Sequence, residues 1–216
     1  MAEITAQMVK ELRDQTGAGM MDCKAALADS NGDADKAIEF LRKKGLKNVT
    51  KRAGKVASEG IVYSYIHAGS KIGVMLELNS ETDFVAKGED FTGLARAIAM
   101  HIAWANPKYL SREDVPNQVI EKEKEIALSQ LNPQQQKMAD KILPGKLEKF
   151  YGDVCLLEQL EAINPEAKKT IKDLINDLSA KVGEKIVLKR FLRFEVGEGI
   201  EKQTTDFAAE VQAAIK

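Results

Sequence analysis

The chain has 216 residues, 44% of them apolar, enough for one medium core or two small ones. Its 32 basic and 33 acidic residues leave a net charge of −1, which excludes the basic excess that steers whole proteins onto nucleic acid. Two cysteines, Cys23 and Cys155, stand far apart with no CxxC pair, so a reduced, cytoplasmic protein is expected.

The first residues, MAEITAQMVK, lack the layout of a signal peptide, and no apolar run nears the roughly 20 residues that span a bilayer. Residues 1–45 read as three short helices. Ile4, Met8, Val9 and Leu12 recur at helical spacing with Thr5 as a cap; Gly17 and Gly19 break that helix, and a second starts near Met20. Two adjacent methionines, Met20 and Met21, point to different faces of a helix, so at least one faces outward, where flexible thioethers suit a partner. After an Asn31-Gly32-Asp33 turn, Ala34, Ala37, Ile38 and Leu41 give a third helix, with Gly45 where a helix normally stops. Residues 43–55 carry Lys43, Lys44, Lys47, Lys51, Arg52 and Lys55 and no acid. That pattern reads as a solvated linker or helix, or as a contact to an acidic surface.

IVYSYIH (61–67) and KIGVMLEL (71–78), joined by Ala68-Gly69-Ser70, predict a β-hairpin. Beyond it, in NSETDFVAKGEDF, Thr82 and Asp83 suit an N-cap and a first helical turn. Spacing leaves Phe84 open between a core position and an exposed tip. Phe91, Leu94, Ala95, Ile98 and Ile102 then form an apolar helical stripe, with Ala97, Met100, His101 and Trp104 on a second side and Pro107 as the stop. Residues 112–151 predict two antiparallel helices starting near Pro116 and Asn132-Pro133, the second interrupted at Pro144-Gly145. VCLLEQL (154–160) reads as a buried strand. Asn164-Pro165 opens a helix bearing Ile171, Leu174, Ile175 and Leu178, ended by Gly183. KIVLKRFLRFEV (185–196) reads as a strand with one wet face, and TDFAAEVQAAIK closes the chain as a helix. Local strand pairing with helices packed on one face predicts an α+β fold.

Catalytic chemistry finds little support. The chain contains no GxxxxGK[ST], HExxH or GxSxG, and its two histidines and two scattered cysteines make no conventional zinc site. Asp83 and His101 could act as acid and base, but no motif supplies them with a substrate. A non-enzymatic protein without cofactor or metal is expected, and a protein-interaction adaptor is the rival to any more specific function.

Four segments, VKELRDQTGAGMMDCKAAL, TDFVAK, IAMHIAWANP and RFEVGEGIEKQTTDFAAEV, are spread in one order over residues 9–211. In these the sequence resembles the bacterial translation elongation factor Ts family, the guanine nucleotide exchange factors of the GTPase elongation factor Tu (EF-Tu). The resemblance implies a three-helix domain of the ubiquitin-associated (UBA-like) type at 1–45, a basic linker at 46–59, and an α+β core at 60–203. It places a helical hairpin at about 112–151 and a C-terminal helical module at 204–216. It also implies that Thr82, Asp83, Phe84 and Val85 intrude beside the Mg²⁺ and phosphate site of EF-Tu, and that Arg13, Met20, Met21 and His101 bind EF-Tu. Long members carry two copies of the strand-and-helix module, whereas one clear copy stands here, at 60–106. A homodimer is therefore an expected way of supplying the missing surface. No direct contact to nucleic acid or membrane is implied.

Overall fold

The computed structural model describes residues 4–163, 166 and 168–200. Three helices come first: α1 (Ala6–Thr16), α2 (Met20–Asp29) and α3 (Ala34–Arg52). Thr5 caps α1 by accepting the Met8 N–H, Gly17 closes it in the left-handed region, and Asp33 caps α3 by accepting the Lys36 N–H. Val9, Leu12, Cys23, Ala26, Leu27, Ala37 and Leu41 bury one small core between them.

Helix α3 does not stop at Gly45. It runs on to Arg52, through the first half of the segment expected to be a linker. The reason is contact: a Cβ at position 45 would stand 3.0 Å from the Ala180 Cβ. Glycine lets α3 closely cross the helix that carries Ala180 (α9, Ile171–Val182), at the usual cost of about 1 kcal/mol in helix propensity.

Strands β1 (Glu59–Ile66), β2 (Ile72–Ser80) and β3 (Val187–Glu195) form a three-stranded antiparallel sheet in the order β1-β2-β3. Between β2 and β3 come α4 (Asp83–Ala86), α5 (Glu89–Ala105), α6 (Asn117–Ser129), α7 (Pro133–Gln136), α8 (Ala139–Val154) and α9 (Ile171–Val182). One sheet face is covered. Val74, Leu76, Leu78 and Leu188 meet Phe91, Ala95, Ile98 and Ile102 of α5 and Ile171, Ile175 and Leu178 of α9. This is α+β architecture, the alternating strand residues giving one sheet face to the helices. A register shift between Glu77 and Leu78 lets Leu188, rather than Lys189, face Leu78. Gly60 has φ +146°, and a Cβ there would meet the Leu78 carbonyl oxygen at 2.2 Å, so only glycine fits that strand entry.

Local readings are corrected at several points. Proline 144 sits inside α8 without ending it. Asp140, whose carbonyl has no Pro144 N–H to accept, lies exposed, as do Pro144 and Gly145. The second arm of the hairpin is divided earlier, at Lys137-Met138, between α7 and α8. VCLLEQL is no strand: Val154 ends α8 and Leu156–Glu158 form a 3₁₀ turn, leaving isolated bridges Tyr109–Cys155 and Leu160–Thr170. A short apolar run reads alike for a strand and for a buried turn. One face of β3 is exposed, as its alternation suggests, but Arg193 is not on it. The Arg193 side chain points inward, 8% exposed, donating to the Ala103 carbonyl at the end of α5, while Phe194 is 64% exposed. Asn164, Pro165 and the 204–216 segment lie outside the described residues; α9 begins at Ile171, capped by a Thr170–Asp173 box.

Candidate partner-binding surface

The TDFV segment is built from the end of β2. Ser80, fully buried, donates its hydroxyl to the Thr82 carbonyl at 2.8 Å. Thr82 is extended (φ −127°, ψ 154°) and caps the four-residue helix α4 by accepting the Val85 N–H. Its hydroxyl donates to Glu184 Oε1 at 2.7 Å and its backbone N–H to Glu184 Oε2 at 3.0 Å. Successive residues of a helix point about 100° apart. Val85 and Ala86 therefore turn into the core, Ala86 being 4% exposed, whereas Phe84 turns out and is 84% exposed. The ring stands on a turn whose neighbours hold it there. Asp83 is exposed beside it and pairs with Lys87 Nζ at 2.7 Å, a hydrogen bond that holds its carboxyl below the ordinary aspartate range.

On the three-helix bundle, Arg13 occupies the last turn of α1 and Met20 and Met21 the first turn of α2, on either side of the Gly17–Gly19 connection. Arg13 is exposed; Met20 and Met21 are 55% and 77% exposed, while Cys23, one turn on, is sealed in the bundle. Both methionines, not one, face solvent.

His101 lies elsewhere. It is 1% exposed and faces the 159–162 segment. The Ala162 N–H donates to its Nδ1 at 3.3 Å, so its proton sits on Nε2, which donates to Gln159 Oε1 at 2.9 Å. Gln159 in turn donates to the Asp153 carbonyl at 2.7 Å. Burial lowers the His101 pKa, against the opposing pull of Gln159 and the Glu161 charge. The side chain on this end of α5 that does reach solvent is Trp104, with its ring centroid 6.4 Å from that of His101. Any part His101 takes in binding passes through Gln159 and the segment it braces.

Two further features escaped the sequence reading. Glu184 carries no motif, and only the fold brings it under Thr82. The outer sheet face is apolar: Val62 and Ile66 of β1, Met75 of β2 and Leu192 and Phe194 of β3 are exposed there, in register through Ser64–Met75–Leu192 and Ile66–Gly73–Phe194. The Glu77–Arg190 ion pair, 2.7 Å, borders it. Its alternating apolar residues were legible, but not that both faces of the sheet are apolar.

Among the described residues, no group of three or more His, Cys, Asp or Glu side chains could hold a metal, and no helix is long and apolar enough to cross a membrane. Cys23 and Cys155 are both free and buried, and burial pushes the Cys155 thiol up to about 11.

A family model described as Elongation factor TS matches residues 2–198. The chain belongs to the elongation factor Ts family. Elongation factor Ts of Desulforamulus reducens is 57% identical over 220 residues, covering 100% of both chains. That of Carboxydothermus hydrogenoformans is 57% identical over 217 residues, covering 99% of this chain and 98% of its own. That of Syntrophomonas wolfei is 55% identical over 217 residues, covering 99% and 100%. These elongation factor Ts chains match this one over nearly their whole lengths.

Proposed function

We propose that this chain is the guanine nucleotide exchange factor of EF-Tu, acting in the cytoplasm during translation elongation, with Phe84 as the wedge that loosens GDP. The observation that carries the reading is the exposure of the Phe84 ring on a turn whose following residues are buried. The ring is in water in the folded and unfolded chain alike, so its full burial against a partner contributes roughly 1.5–3 kcal/mol to binding at no cost to the free fold.

GDP held at nanomolar affinity represents about 12 kcal/mol, much of it from Mg²⁺ and the amides around the diphosphate. An exchange factor performs no covalent chemistry. It binds the empty GTPase more tightly than the loaded one, and linkage loosens the nucleotide by the same factor. If the Phe84 ring is accommodated only when the Mg²⁺ and phosphate site is disturbed, its burial energy translates into roughly ten- to a hundredfold weaker GDP binding. Thr82 and Val85 hold the tip, and Asp83 brings a carboxylate next to the metal site once its partner changes from Lys87. Arg13, Met20 and Met21 anchor the UBA-like bundle on the GTPase and bring the tip to its target often enough to act. His101 supports this surface from within.

The outer sheet face favours a second partner, another copy of this chain. The exposed row Val62, Ile66, Met75, Leu192 and Phe194 is the type of surface that pairs sheet to sheet in a homodimer. Light scattering checks it: a monomer both free and in complex with EF-Tu removes the dimer.

Release of a fluorescent GDP analogue from purified EF-Tu, followed by stopped flow with and without this protein, tests the main reading. Acceleration by the parental chain and its loss in Phe84→Ala support it. A folded Phe84→Ala variant that exchanges at the parental rate eliminates the wedge.

A further inference from the structure

Two neighbouring turns trade carboxylates. Glu81 Oε1, just before the tip, accepts the Lys185 backbone N–H at 2.7 Å, while Glu184, just before Lys185, accepts both the N–H and the hydroxyl of Thr82. A third segment joins them. Arg52, the last residue of α3, donates to Glu81 Oε1 at 3.0 Å, and Lys185 Nζ donates to the carbonyls of Ala53 and Lys55 at 2.5 and 2.9 Å. The lysine thus sits on the carbonyl end of α3, where the helix dipole favours a cation. Behind the junction, the Ser179 hydroxyl donates to the Glu184 carbonyl and fixes the α9–β3 turn from the core side.

We propose that Glu81, Glu184 and Lys185 are positioning residues for the exchange tip, fixing the bearing of Phe84 relative to α3 and the bundle that α3 carries. This rests on Phe84 being the wedge. Capping alone does not call for Glu184. The cap needs only the Thr82 oxygen as acceptor for the Val85 N–H, and that bond is long, 3.4 Å. The shorter, charge-assisted bonds of Thr82 go instead to Glu184, a residue from the other end of the core. The core already holds both ends of the turn through Ser80 and Ala86, so the added contacts fix the attitude of the turn rather than its path. Glu81 serves the same purpose from the α3 side: one oxygen takes a donor from the helix carrying the bundle and another from the turn bearing Glu184. In this role the network acts on the ring rather than on the partner. Its effect is on how the ring arrives, not on whether the proteins meet.

The experiment compares the parental chain with Glu184→Ala, Glu184→Gln, Phe84→Ala and the Phe84→Ala/Glu184→Ala double variant. Stopped-flow release of fluorescent GDP from EF-Tu is measured over a range of factor concentrations, with thermal melting alongside. Glu184→Ala is expected to lower the maximal release rate about tenfold, the size of one lost charge-assisted hydrogen bond, with half-saturation within about twofold of parental. Glu184→Gln, whose carbonyl can still accept one of the two Thr82 donors, recovers part of the rate. In the Phe84→Ala background, Glu184→Ala changes the rate by less than about twofold, because there is no ring left to aim. Phe84→Ala at the parental rate overturns the wedge and this inference with it. Phe84→Ala slow but Glu184→Ala at the parental rate, or the two losses multiplying, overturns the positioning role and leaves the wedge standing. If Glu184→Ala loses its cooperative melt, Glu184→Gln decides: a parental maximal rate in that variant overturns the proposal.

Discussion

Gly45 of α3 and Ala180 of α9 touch where the bundle's longest helix crosses the core, so closely that a Cβ on residue 45 would stand 3.0 Å from that of Ala180. This crossing, more than any linker, joins the bundle to the sheet-bearing part of the chain. Gly45→Leu is expected to push the helices apart and cost about 1–3 kcal/mol, the usual range for overpacking. Urea unfolding measures it, and an unchanged midpoint and slope would show that the crossing has slack.

Phe84 and Phe91 are seven positions apart along the chain and opposite in physical role. Phe91 is 1% exposed and Phe84 is 84% exposed. Phe91→Ala should cost about 3–5 kcal/mol by opening a cavity under the sheet. Phe84→Ala should change stability by no more than about 0.5 kcal/mol, as exposed substitutions do, while slowing GDP release roughly tenfold or more. Paired denaturation curves check the first contrast and nucleotide release the second. A Phe84→Ala chain that is strongly destabilised would mean the ring packs in solution.

Replacing Met20 and Met21 together with alanine should weaken association with EF-Tu more than it slows release from the saturated complex. The two side chains are the exposed apolar pair at the start of α2, far along the chain from the tip. Calorimetry gives the affinity; a Kd equal to that of the parent would count against the anchor.

His101 should make stability depend on pH. Its folded pKa is below the ordinary 6.5, because burial disfavours the charged ring; the neutral Nδ1 accepts from the Ala162 N–H. The unfolded chain therefore takes up a proton at a higher pH than the folded one. The contribution is complete above about pH 6.5 and is lost as the pH falls from there through the folded pKa. Unfolding free energies at pH 7.5 and 5.5 should differ more for the parent than for His101→Gln, and equal slopes would contradict the assignment.

The helical stripe of Phe91, Leu94, Ala95, Ile98 and Ile102, the capped starts at Thr5, Thr82 and Asn132, and the stop at Gly183 were legible because each is a local pattern. So was the hairpin of β1 and β2. What failed was set by distant neighbours. Gly45 reads as a stop unless α9 is known to cross there. Arg193 reads as solvent-facing unless the Ala103 carbonyl waits beneath it. Phe84 was undecidable from spacing, since its burial depends on which way a single helical turn faces. His101 was assigned to the binding surface by resemblance, and its side of α5 did read as apolar, but not that Gln159 and Ala162 would enclose it. Glu184 carried no signal at all, because its partner is 102 positions away along the chain.

The unbroken run of α3 from Ala34 to Arg52 gives the molecule an angular constraint that a flexible tether would not impose. Each residue of an α-helix advances about 1.5 Å and turns about 100°. One residue inserted between Leu41, which packs in the bundle, and Gly45, which meets Ala180, would swing the methionine pair around the helix axis by more than a quarter circle, while four would bring it back nearly into phase, about 6 Å further out. Helix length here works as a phase setting between two contact points, so this stretch should tolerate changes of side chain far better than changes of residue number.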